Sequence, residues 1–113
     1  MPRPLIAITH IAAMQANLAA ARKAVPGART WAVVKADAYG HGLVSVARAA
    51  LDAGATSLGV ALLEEAITLR KAGITAPILA WLVPPGSDYQ LAVDNEIELA
   101  ASSIKALEEI GAV

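Results

Sequence analysis

The chain has 113 residues, a formal net charge of -1 and a pI near 6.1, so it carries no basic field that would gather nucleic acid or an anionic membrane surface. It has no cysteine, and therefore no disulfide framework, thiolate nucleophile or cysteine metal site; its two histidines are few ligands for a metal. With 57% hydrophobic and 17% charged residues, it is richer in apolar surface than a small soluble domain needs, which implies a larger body.

The opening Met1-Pro2-Arg3-Pro4 runs straight into a short apolar stretch without the long core and small-residue cleavage site of a signal peptide. Apolar runs such as Ala76 to Val83 are far below the ~20 residues of a spanning helix. A soluble, cytoplasmic protein with no membrane partner is expected, and the lack of cysteine is compatible with a reducing compartment.

Leu5 to Ile8 reads as a short strand. Thr9 follows as an N-cap, then Ile11, Met14, Leu18, Ala21 and Val25 at spacings of three and four, the pattern of an amphipathic helix. Pro26-Gly27 stops it, because proline cannot continue the hydrogen bonds and glycine accepts the positive φ of a helix end. A strand over Thr30 to Lys35 is next. Leu43, Val46, Ala47, Ala50 and Leu51 then define a second helix face, closed by Gly54 before a strand near Ser57 to Ala61.

The third helix spans about Leu62 to Ala72. Its Glu64 and Glu65 near the amino end and Arg70 and Lys71 near the carboxyl end match the helix dipole and read as a solvated face. Ile78 to Val83 is a fully apolar strand, ended by the turn Pro84-Pro85-Gly86. Ser87 or Asp88 caps a helix through about Val93, a strand lies near Ile97 to Ala100, and a last helix runs from Ser103 to Gly111.

Strands alternating with helices argue for a parallel sheet joined by right-handed crossovers. A barrel and an open doubly wound sheet both satisfy this alternation. No linker divides residues 1–113, which read as a single unit without an internal boundary.

One stretch carries chemistry: Val33-Val34-Lys35-Ala36-Asp37-Ala38-Tyr39-Gly40-His41-Gly42. An apolar strand delivers Lys35 into a polar turn at the strand's carboxyl end, where parallel α/β proteins bind ligands. Desolvation disfavours an ammonium ion, and a neutral amine attacks carbonyls to form a Schiff base. A lysine that snorkels to water or pairs with Asp37 accounts for the same pattern. His41 between two glycines reads as a turn or supporting residue, Asp37 as a partner within the turn, and His10 has no clustered partner for a metal site. Gly40 and Gly42 permit positive φ and close backbone approach.

The ten residues VVKADAYGHG closely resemble the cofactor-lysine segment of the alanine racemases. Ile6, Ile8, Ile11 and Asn17 resemble that family's amino-terminal segment, and Gly59 to Leu79 its next two barrel units; the likeness fades after Pro84. The resemblance chooses a fold: α/β, roughly the first half of a parallel (β/α)8 barrel, which in the family is followed by a carboxyl-terminal β domain. Such a barrel needs ~250 residues, so residues 1–113 are expected to be the amino-terminal part of a pyridoxal-phosphate-binding barrel domain.

The resemblance also implies a function. Lys35 would hold pyridoxal 5'-phosphate as an aldimine and act as one of two bases interconverting L- and D-alanine, which supplies D-alanine for peptidoglycan. Tyr39 would hydrogen-bond the cofactor phosphate; a tyrosine packed on the second helix with its hydroxyl in water is the alternative. Aspartate at Asp37 departs from the asparagine frequent in the family. The second base, a tyrosine from the partner subunit of a homodimer, the arginine facing the pyridine nitrogen and most phosphate ligands have no counterpart here, so these residues alone are expected to be inactive. A non-catalytic pyridoxal-phosphate-binding barrel and a barrel amino-acid decarboxylase are the other readings. A β domain bearing a tyrosine base would favour the racemase, an end after one barrel the carrier, and an acid facing the pyridine nitrogen the decarboxylase.

Overall fold

The computed structural model describes residues 4–113; Met1, Pro2 and Arg3, part of the leader reading above, lie outside the described residues. In chain order the elements are α1 (Ile11–Ala24), β1 (Trp31–Val33), α2 (Lys35–Tyr39), α3 (Leu43–Asp52), β2 (Ser57–Val60), α4 (Leu63–Lys71), β3 (Ile78–Ala80), α5 (Tyr89–Asp94), β4 (Ile97–Leu99) and α6 (Ile104–Gly111). The four strands form one parallel sheet in the order β1-β2-β3-β4. Sequential parallel neighbours require a helical crossover between each pair, which is what the alternation of the sequence implied.

The register separates the two faces. Ala32, Leu58, Ile78 and Ile97 align across the sheet, and the last three are buried together with Val34, Val60, Ala66, Leu69 and Ala92. Each buried leucine or isoleucine contributes about 1.5–3 kcal/mol. The next row, Val33, Gly59, Leu79 and Glu98, lies on the opposite face. There a Cβ on Gly59 would stand 2.7 Å from Trp81 Cζ3, so glycine is what lets the indole lie across β2.

α3 presents Val46, Ala47, Ala49 and Ala50 to the interior, small residues that allow a close approach to the sheet. Its outer neighbour α1 forms where the periodicity places it, yet none of its residues is fully buried. Met14 packs against the core while only partly buried, and polar ties add to it: Gln15 Nε2 donates to the Ala49 carbonyl at 2.9 Å and Arg22 Nη1 to the Ala53 carbonyl at 3.1 Å.

Several expectations change. Leu5 to Ile8 is not a strand: it pairs with no neighbour, and Leu5, Ile6 and Ile8 are 97%, 76% and 68% exposed. Thr9 does not cap α1; His10 holds the N-cap position without a side-chain bond, and the Thr9 hydroxyl donates to the His41 carbonyl at 3.3 Å. β1 ends at Val33 because Val34, at ψ 19°, leaves the extended region, and β3 is shorter than the apolar run that encodes it. Asp88 and Ser103 do cap their helices, accepting from the Leu91 and Ala106 amides at 3.0 and 3.1 Å.

The four charges of α4 are not all a solvated face. Arg70 is half-buried and donates to four carbonyls, those of Asn95, Ile74, Ala76 and Glu96, at 2.7–3.0 Å. Glu65 is engaged at the other end of the helix. No helix among the described residues is long and apolar enough to cross a membrane.

Candidate active site

All four strands run the same way, so the segments after β1, β2 and β3 gather at one end of the sheet. There the chain does something no propensity scale would anticipate. Ala36, Asp37, Ala38 and Tyr39 have φ of 55°, 57°, 52° and 54°, a turn of left-handed helix built from four residues that carry a Cβ. Left-handed residues cost about 1–2 kcal/mol each, and such strain persists only where surrounding contacts over-determine it.

Those contacts are visible. The Ala38 amide reaches back to the Val34 carbonyl at 3.0 Å, and the Gly40 and Gly42 amides both donate to the Asp37 carbonyl at 3.0 Å. Gly40 and Gly42 continue at φ 86° and 99°, values only glycine adopts cheaply. The Asp37 carboxylate accepts the Leu43 amide at 2.8 Å and so caps α3. This is the turn partnership expected of Asp37.

Glu65 supplies the tie to the rest of the sheet. One carboxylate oxygen accepts the Ala36 amide at 2.7 Å; the other accepts the Leu62 and Ala61 amides at 2.8 and 3.1 Å. The segment after β1 and the start of α4 are thereby fastened through one side chain.

The turn brings Lys35 and Tyr39 together: the lysine Nζ lies 5.3 Å from the centre of the phenol ring. Lys35 is half-buried, while Tyr39 is 69% exposed. His41 is exposed, with its Nδ1 3.4 Å from the Thr9 hydroxyl. A groove of about 360 Å³ is lined by Tyr39, His41, Thr9 and His10. A larger one, about 600 Å³, lies between α4 and α5. Lys35 lines neither. No group of three or more histidines and carboxylates able to hold a metal occurs among the described residues.

Sequence reasoning passed over Glu65. Its signal was the position three residues after Leu62, from which a glutamate reaches back to the first amides of a helix. Its reach to Ala36 depends on β1 lying beside β2, which no local pattern states.

Residues 9–113 match the family model described as "Alanine racemase, N-terminal domain". The chain belongs to the alanine racemase family. It is 48% identical to the alanine racemase of Mycolicibacterium smegmatis over 114 aligned residues, which are 98% of this chain and 29% of that protein. Among solved structures, the alanine racemase of the D-cycloserine producer Streptomyces lavendulae superposes with a TM-score of 0.87 at 45% identity, covering 90% of this chain and 27% of that one. The histidine racemase of Leuconostoc mesenteroides subsp. sake is also similar, with a TM-score of 0.83 at 32% identity over 90% of this chain and 27% of its own. The chain thus spans under a third of the length of these relatives. Its parallel βα units are those of the amino-terminal half of the family's (β/α)8 barrel, which decides between the barrel and the open sheet.

Proposed function

We propose that the whole protein is an alanine racemase that interconverts L- and D-alanine with pyridoxal 5'-phosphate, works as a homodimer and supplies D-alanine for peptidoglycan. The observation that carries this reading is Lys35 at the carboxyl end of β1, held on a left-handed turn with its amine 5.3 Å from the Tyr39 ring in a chain of this family.

The residues suit the cofactor. A primary amine that is only half-buried can condense with an aldehyde, and an exposed phenol four residues on can donate to a phosphate. When bound, pyridoxal phosphate supplies an electron sink for the α-carbanion of an amino acid. Lys35 would hold the cofactor through Nζ, and the same amine, when free, would exchange the α-proton on one face. Tyr39 donates its O–H to the phosphate and orients it. Gly40 and Gly42 leave the backbone open there: no atom lies within 4 Å of a Cβ on Gly40, and on Gly42 it would meet only Ser45. The base for the opposite face comes from residues outside this chain, in the partner subunit.

A second substrate reading has its own support, since the likeness to a histidine racemase leaves the side-chain preference to other parts of the protein. The test is to load the whole protein with pyridoxal phosphate and follow racemisation of L-alanine and L-histidine, with Lys35→Ala as the control for slow cofactor-only exchange. Lys35-dependent turnover of alanine supports the proposal. Turnover of histidine alone moves the substrate, and no Lys35-dependent turnover refutes the activity.

A further inference from the structure

We infer that Glu65 is a positioning residue for Lys35: its carboxylate pins the peptide plane directly after the lysine and so sets the direction in which the amine leaves β1. The inference rests on the reading of Lys35 as the cofactor anchor and adds to it the group that aims that anchor.

The geometry is specific. The Ala36 amide, which donates to Glu65 at 2.7 Å, belongs to the peptide unit shared with Lys35. Rotation about the Lys35 Cα–C bond swings that N–H away from the carboxylate, so the bond constrains the backbone that carries the lysine side chain. Ala36 is also where the left-handed turn begins, at φ 55° and ψ 46°, and a residue in that region needs an external tie to stay there. The partner is well chosen. A carboxylate is acceptor-only, and its two oxygens here meet three N–H groups, with the Leu62 and Ala61 amides on the second oxygen. Charge-assisted bonds of this kind are roughly twice as strong as neutral ones. Glu65 is itself half-buried at the start of α4, whose next residue, Ala66, is fully buried, so the anchor is fixed to the core.

A glutamine at this position keeps the shape and loses half the function. With its carbonyl toward Leu62 and Ala61 it caps α4 but presents an NH₂ to the Ala36 N–H; flipped, it serves Ala36 and abandons the cap. A residue that merely caps α4 would tolerate the first orientation.

The experiment uses the whole protein loaded with pyridoxal phosphate and compares Glu65→Gln with the unsubstituted form. Three measurements are made: the circular dichroism of the bound cofactor, kcat and KM for alanine, and the site of the borohydride-fixed pyridoxyl group. The expected result is an adduct still on Lys35, a weakened cofactor dichroism band, and kcat lowered about 10- to 100-fold with KM little changed, the scale of a misplaced reacting group. Adding Leu62→Asp, which gives α4 a side-chain cap of its own, should not restore either property. Recovery on adding Leu62→Asp, or an unchanged band and kcat in Glu65→Gln, would overturn the role of Glu65 while leaving Lys35 as anchor. An adduct on another lysine in the unsubstituted protein would overturn the anchor and this inference together. Hydrogen exchange of the Ala36 amide in the unsubstituted protein decides the matter even if Glu65→Gln does not fold: protection is expected, and exchange at the rate of an unstructured amide contradicts the contact.

Discussion

Asp37 caps the helix that begins six residues after it, its carboxylate accepting the Leu43 amide at 2.8 Å. The same residue sits at φ 57° in the left-handed turn and takes two glycine amides on its carbonyl. One residue therefore ends the turn that carries Lys35 and starts α3.

Asp37→Ala should cost about 1 kcal/mol through loss of this cap, within the ~0.5–2 kcal/mol range of such changes. Asp37→Asn should cost much less, because the amide oxygen can still accept from Leu43. Urea denaturation of the whole protein measures both, and equal losses for the two substitutions would mean that charge rather than capping is what matters.

Tyr39→Phe should keep the fold, since the phenol is exposed, and weaken retention of pyridoxal phosphate. One hydrogen bond to a charged phosphate contributes roughly 1.5–3 kcal/mol, so the dissociation constant should rise by about 10- to 150-fold. Dialysis against cofactor-free buffer followed by absorbance reads the difference. Unchanged retention would leave Tyr39 only as the aromatic neighbour of the Lys35 amine.

Away from the site, the Tyr89 hydroxyl donates to the Pro84 carbonyl at 2.8 Å, and burial followed by the neighbouring Glu109 carboxylate raises its pKa above the ordinary 10.0. The folded state thus holds this proton more tightly than the unfolded chain. Its contribution is fully present below about pH 10 and is lost as pH rises through the raised value. Denaturation midpoints from neutrality into the alkaline range should fall less steeply for Tyr89→Phe than for the unsubstituted protein; parallel slopes would contradict this.

What was legible in the sequence was mostly local. Val46, Ala47 and Ala50 repeat at helical spacing and form the buried face of α3, and Asp88 and Ser103 stand three residues before the amides they cap. Lys35 and Tyr39 were likewise singled out within one short motif, whereas the approach of the amine to the phenol ring was not. Leu5 to Ile8 misled because apolar residues make a strand only when they pair with a neighbour and bury a face against it, and this run does neither. The left-handed turn was not anticipated: Ala36, Asp37, Ala38 and Tyr39 are strained in it, and besides the local bonds around Asp37 an offsetting contact comes from Glu65, 29 residues from Ala36. Arg70 was misread for the same reason, since its acceptors around Asn95 and Glu96 come near only once β3 and β4 pair.

The most direct test of the account is where the cofactor is attached. The whole protein, loaded with pyridoxal phosphate and reduced with borohydride, should give a single pyridoxyl peptide within this chain, carrying the group on Lys35. An adduct on Lys23, Lys71 or Lys105, with Lys35 unmodified, would contradict the claim that the left-handed turn after β1 exists to present this amine.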